Sequence, residues 1–186
     1  MSTGVAAVMA AKRRTERDAA DPVGAVRRNH MRALVSLLCT AVWSGAALIV
    51  VSTVAPAAFR VLPTRTLAGA LVGQVLPVLF VAGLVVGVLA LTLTPRGAPR
   101  AMLRRIGGAG IIGGCAVAQL VIAPQIATLR QRIGPDLEAL AASDPLRVAF
   151  GRLHGLSVLS LGVAMLFAAL TLVATVLAVR AAPQHD

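Results

Sequence analysis

The sequence predicts an all-α protein: an integral membrane four-helix bundle with both termini in the cytoplasm. Three observations predict it. Of 186 residues, 58% are hydrophobic and 13% charged, and the mean hydropathy is +0.84, whereas a soluble domain is about half apolar and about a quarter charged. The apolar residues gather into four runs, each near the ~20 residues that a helix needs to cross a ~30 Å hydrocarbon core. Lysine and arginine lie between these runs or at their ends, unequally on alternate sides, as the positive-inside rule describes.

Residues 1–32 are alanine-rich and charged, with "AKRRTERDAADP" and "RRNHMR", and read as a disordered or loosely helical basic cytoplasmic tail. This charged stretch is longer than that of a signal peptide, and the apolar run behind it exceeds a signal core, so the first span is read as retained. The transmembrane domain covers 33–180. Its first span runs from Ala33 to about Val54, its second from Leu67 to about Leu93, its third from about Met102 to Ala123 and its fourth from Gly155 to about Val179. The third is diluted by five glycines and a glutamine, but an odd number of spans distributes the charge less well. Between the third and fourth lies an outer loop, 124–152, punctuated by Pro135 and Pro145 and suited to one or two short amphipathic helices. Residues 181–186 form a second cytoplasmic tail.

Counting the cations sets the orientation. The N-terminal tail holds seven, the second connection four (Arg96, Arg100, Arg104, Arg105) and the C-terminal end one, Arg180. The first connection holds Arg60 and Arg65, and the third Arg130, Arg132, Arg147 and Arg152. Placing both termini inside leaves twelve of the 18 basic residues in the cytoplasm and six outside, the arrangement the rule favours.

The same composition excludes several classes. A net charge of +11 with four Phe, one Trp and no Tyr lacks the aromatic stacking partners of a nucleic-acid surface. Cys39 and Cys115 sit inside apolar runs, which argues against a disulfide framework or a cysteine metal cluster. His30 precedes the first span on the inner side and His154 opens the fourth on the outer side, too far apart to share a haem, and His185 is in the inner tail. Cys39 lies about 9 Å and Cys115 about 18–20 Å along their helices, a mismatch that disfavours a shared copper ion. No charged residue occupies the centre of a span, contrary to the habit of proton pumps and voltage sensors. No triad, carboxylate pair or H-E-x-x-H motif is embedded in the membrane, so the chain reads as no enzyme and no cofactor is expected.

Small residues recur four apart: Gly69/Gly73, Gly83/Gly87, Gly110/Gly114 and Gly151/Gly155. Such pairs let helix backbones approach closely in lipid. Pro77 removes a helical hydrogen bond inside the second span and frees a carbonyl near Gly73, with Gln74 adjacent to help satisfy it. The polar candidates for a site are His154 and Ser157, on one helix face; Trp43 with Ser44 and Gly45; the amides Gln74 and Gln119; and Arg60, which follows "APAAF". Under this topology His154 and Arg60 form an outer polar cap, and Asp136, Glu138 or Asp144 of the outer loop are the acids that could fold back onto His154.

Four stretches resemble one known family. "WSGAALIVVSTVAPAAFR" (Trp43 to Arg60) has a W-x-G pattern and then an A-P-x-x-F turn. "GQVLPVLF" (Gly73 to Phe80) follows G-x-x-x-P-x-x-F, and "IAPQIATLR" (Ile122 to Arg130) and "FGRLHGLSVLSLGV" (Phe150 to Val163) supply a third-helix exit and F-x-x-L-H-x-x-S. In this order they resemble the transmembrane-protein-205-like family, over roughly Leu34 to Leu177. The resemblance implies a four-span membrane protein of largely uncharacterised activity, distantly similar to bacterial copper-resistance membrane domains, with eukaryotic members linked to platinum-drug resistance. The carried-over positions are Trp43, Gly45, Pro56, Phe59, Gly73, Pro77, Phe80, Pro124, His154 and Ser157, as signature positions rather than catalytic, cofactor or metal residues.

The expected function is therefore a non-enzymatic transport, permeability or stress-resistance component of the plasma membrane, in a bacterium the inner membrane. The alternative is copper or soft-metal handling through His154. Expected partners are membrane lipids, with self-association and a small-molecule or metal ligand left open.

Overall fold

The computed structural model describes residues 9, 21–95, 97–134 and 137–180, apart from the side chains of residues 22 and 138. Among these residues the chain is helical, without strands. Helix α1 (Pro22–Ile49) runs through a π-helical turn (Val50–Val54) into α2 (Ala55–Val61). Helix α3 (Arg65–Thr92) returns, α4 (Ala101–Ala116) runs through a second π-helical turn (Val117–Ile122) into α5 (Ala123–Ile133), and α6 (Pro145–Arg180) closes the bundle. All four continuous rods are long and apolar enough to cross a membrane. Even the 28-residue α3 measures about 42 Å at ~1.5 Å per residue, so the rods outreach the hydrocarbon core.

The rods begin and end beyond the apolar runs, for identifiable reasons. Residues 22–32, expected in the tail, form the start of α1. Asp21 accepts the Gly24 N–H at 2.8 Å and Pro22 opens the first turn, where its missing N–H costs nothing. The Gly24 N–H also holds the Asp21 carboxyl below its ordinary range. The expected loop at 124–152 narrows from both sides. Pro124 occupies the first turn of α5 and Pro145 opens α6 behind Asp144, whose Oδ1 accepts the Leu146 N–H at 2.8 Å. The rest of the N-terminal tail, Arg96, Pro135, Asp136 and the 181–186 tail lie outside the described residues.

The rods pack up and down, so Pro22 and Arg180 share one end of the bundle, the terminal end. The connections before Arg65 and Pro145 share the other, the loop end. Glycines set the spacing. A Cβ on Gly114 would stand 2.8 Å from the Ser160 carbonyl, one on Gly107 2.9 Å from that of Phe167, and one on Gly87 2.9 Å from that of Gly108. The helices thus touch backbone to backbone, which supplies dispersion contacts that lipid cannot. Gly151 and Gly155 instead face open space. Trp43, Phe80, Ile111, Cys115 and Leu161 interlock at the centre, and the indole N–H of Trp43 donates to the Leu79 carbonyl at 2.9 Å. The outward faces carry Leu38, Val42, Val78, Leu120 and Leu166, each exposed by 65% or more, the surface of a lipid-facing bundle.

Candidate functional site

At the loop end the rods part around a cavity of about 800 Å³, walled by α3, α5, α6 and the edge of α2. It reaches along α3 from Arg65 to Phe80, about 22 Å of helix. Its mouth holds Arg65, Thr66, Arg130 and Arg147; its middle is Val72, Leu76, Pro77, Ile126 and Phe150; its closed end brings Phe80, Gln119 and Ser157 together. The slot is therefore basic at its mouth, apolar through its middle, and lined by the neutral polar groups of Gln119, His154 and Ser157 further in.

Arg130 is the fixed cation of this wall. Its Nη2 donates to the Gly69 carbonyl at 2.9 Å, and its Cζ lies 5.6 Å from the centroid of the Phe150 ring, within cation–π range. A Cβ on Gly73 would come within 2.9 Å of its Nη1, so a glycine is what lets the guanidinium lie against α3. Pro77 has no N–H, which leaves the Gly73 carbonyl without its usual helical donor, one turn from the carbonyl that Arg130 takes. Phe150 also stacks on His154, with parallel rings 6.4 Å apart. The Arg147 Nη1 donates to the Leu140 carbonyl at 2.7 Å. Two oxygens on the lining residues are buried without a hydrogen-bond partner: Thr66 Oγ1 at the mouth and Gln119 Oε1 at the closed end.

The residues singled out from the sequence divide between this slot and its scaffold. Phe59, Gly73, Pro77, Phe80, His154 and Ser157 line it. Trp43 is in the core, Gly45 faces open space, and Pro56 and Pro124 sit in the first turns of α2 and α5. Arg60 is exposed and forms no part of the wall. Adjacent helical residues point about 100° apart, so Phe59 turns toward the slot while Arg60 turns away. The cation beside His154 is Arg130 instead. Gln74 is exposed, so the guanidinium of Arg130 rather than that amide lies against Gly73. Asp144 is engaged as the cap of α6, while Asp136 and the Glu138 side chain lie outside the described residues. Arg65, Thr66, Arg130, Arg147 and Phe150 also line the slot, and sequence pattern alone does not single them out as site residues. The one signal for Arg130 is its place at the end of "IAPQIATLR", one helical segment beyond the third apolar run.

Chemically, the described lining residues offer positive charge, hydrogen bonds and apolar surface, and include no carboxylate and no cysteine. Both cysteines are free, Cys115 buried against Gly83 and Cys39 half-buried. Among the described residues no three His, Cys, Asp or Glu side chains come together as metal ligands.

No curated protein and no solved structure matches the chain. A family described as a domain of unknown function (DUF4149) matches residues 38–134, from the second half of α1 to the end of α5, which takes in Arg130 and its glycine notch but stops short of α6. With just over half of its 186 residues inside that match, the chain belongs to the DUF4149 family.

Proposed function

We propose that the protein is a non-enzymatic component of the plasma membrane that takes a small amphiphilic molecule into the slot between α3, α5 and α6, in a transport, permeability or stress-resistance role. The slot itself supports this reading most directly. It joins a basic mouth of Arg65, Arg130 and Arg147 to an apolar middle of Val72, Leu76, Ile126 and Phe150, the two kinds of surface that an amphiphile needs. Its volume also falls in the ~300–1,000 Å³ range of small-molecule sites. The likeness to the transmembrane-protein-205-like family supports the same reading, because six of its signature positions, on three different helices, converge on this wall. A copper role draws no comparable support, since His154 stacks on a phenyl ring and belongs to no group of three His, Cys, Asp or Glu among the described residues.

A neutral acylglycerol carrying a diazirine on its chain tests the proposal in detergent micelles. Photolabelling should be saturable and map to Leu76, Ile126 and Phe150. Replacing Ala127 with Trp, which fills the slot from α5, should cut that labelling at least fivefold. Labelling spread evenly over Val78, Leu120 and Leu166, unaffected by excess unlabelled lipid, would sink the idea.

A further inference from the structure

We infer that the molecule held in the slot is a single-chain anionic amphiphile whose phosphate or carboxylate head seats on Arg130. This rests on the slot being a binding site and names its ligand class.

The arginine is already immobilised. A guanidinium carries five N–H donors in a planar fork that matches carboxylate and phosphate oxygens. One goes to the Gly69 carbonyl at 2.9 Å, and the plane is steadied by the Phe150 ring and by the space that Gly73 leaves. The entropic cost of ordering a long side chain is thus met before any ligand arrives. Arg65 and Arg147 line the same mouth, and the described lining residues include no carboxylate. Charges interact more strongly there than in water, because Arg130 is half-buried among apolar groups and the local dielectric is lower. Beyond the guanidinium, Leu76, Pro77, Phe80 and Ile126 offer only apolar surface. A head that is anionic and a body that is hydrocarbon satisfy both halves. A volume of about 800 Å³ suits one chain rather than the two of a bilayer phospholipid.

The test uses the full chain in uncharged micelles with the neutral diazirine acylglycerol as probe. Its competitors are an acylglycerol and an acylglycerol phosphate of the same chain, which differ only by a group carrying about −1.5 to −2 charge at pH 7, and inorganic phosphate. The phosphate-bearing chain should displace the probe at least tenfold more effectively than its neutral twin, and inorganic phosphate should not displace it. Arg130→Gln should bring the two chains within twofold of each other, and thermal unfolding followed at Trp43 reports whether the variant is folded. Gly73→Ala, which shifts the guanidinium without removing it, should narrow the preference at least threefold and serves where Arg130→Gln does not fold. Equal displacement by both chains in the unaltered protein overturns the anionic head and leaves the slot as a binding site. Displacement by inorganic phosphate as good as by the charged chain overturns the lipid source. If neither chain competes, the reading of the slot as a binding site fails as well.

Discussion

Gly113 and Gly114 are neighbours in α4, yet a methyl group added to each meets opposite surroundings. At Gly114 it would press on the Ser160 carbonyl at 2.8 Å and the Ala164 N at 3.1 Å, backbone atoms that cannot swing aside, whereas at Gly113 it meets nothing within 4 Å. Gly114→Ala should therefore push α4 off α6 and destabilise by about 1–3 kcal/mol, the usual range for overpacking. Gly113→Ala should be neutral or stabilising by about 0.5–1 kcal/mol, through the lower backbone entropy of alanine in a helix. Trp43 is the only tryptophan and is 4% exposed, so its fluorescence reports core loosening directly. Thermal unfolding followed at Trp43 should separate the two variants in opposite directions; equal midpoints would mean that α4 and α6 are not in backbone contact. The single hydrogen bond from Trp43 to the Leu79 carbonyl is a smaller contribution, about 1 kcal/mol by the ordinary net value.

Pro56 and Pro124 illustrate what a helix can absorb and what a linear reading misses. A proline inside an apolar run usually marks a stop, and "APAAF" reads as a turn. Both prolines instead come just after a π-helical turn, and the residue that follows each turn bonds five positions back, Ala55 N–H to the Val50 carbonyl and Ala123 N–H to that of Ala118. One extra residue per turn lets the chain enter the proline with its N–H already unneeded, and Gln125 Nε2 donates to the Val121 carbonyl at 2.8 Å to mend the ladder. Because a π turn amounts to one inserted residue in an α-helix, removing one there restores a plain helix without rotating the segment beyond it. Deleting Leu120, which faces outward at 68% exposure, should keep α5 in phase and leave slot photolabelling within about twofold. Deleting Gly113, in regular α-helix, should rotate α5 by about 100°, take Arg130 off Gly69 and abolish labelling. Similar losses from both deletions would show that the π turn carries no phase function. Hydropathy and charge made the number and order of the four spans legible, since burial in lipid demands an apolar run, but not the helical extensions beyond them at 22–32, 124–133 and 145–154. Arg130 against Gly69 was illegible, because that contact joins positions 61 residues apart and the Gly69/Gly73 spacing also fits a helix-helix seam. His154 and Ser157 were legible as one helix face, but the cavity they face belongs to α3 and α5.

Which way the bundle stands decides what the slot faces. In the sequence, twelve of the 18 basic residues precede the first apolar run, flank the connection between the second and third or follow the fourth, and six fall in the other two connections. Of those six, Arg65, Arg130 and Arg147 line the slot, so their presence there has a local cause. The terminal-end cations are built into the helix ends in a different manner: Arg100, at φ 54°, caps α4 and its Nη1 donates to the Leu177 carbonyl at 3.1 Å. A cation at the last turn of α6 is favoured by the helix dipole. Arg104 lies one turn further in, 3% exposed, with no partner for Nε and Nη2 among the described residues. Translocating this end would carry the whole set across the bilayer, so it should remain in the cytoplasm while the slot opens on the far face. Reporter fusions check this directly. A green fluorescent protein after Asp186 should fluoresce and alkaline phosphatase there should be inactive, whereas phosphatase inserted between Ala141 and Ala142 should be active. The reverse pattern would turn the slot toward the cell interior, and its ligand would then have to come from the cytoplasmic leaflet rather than the outer one.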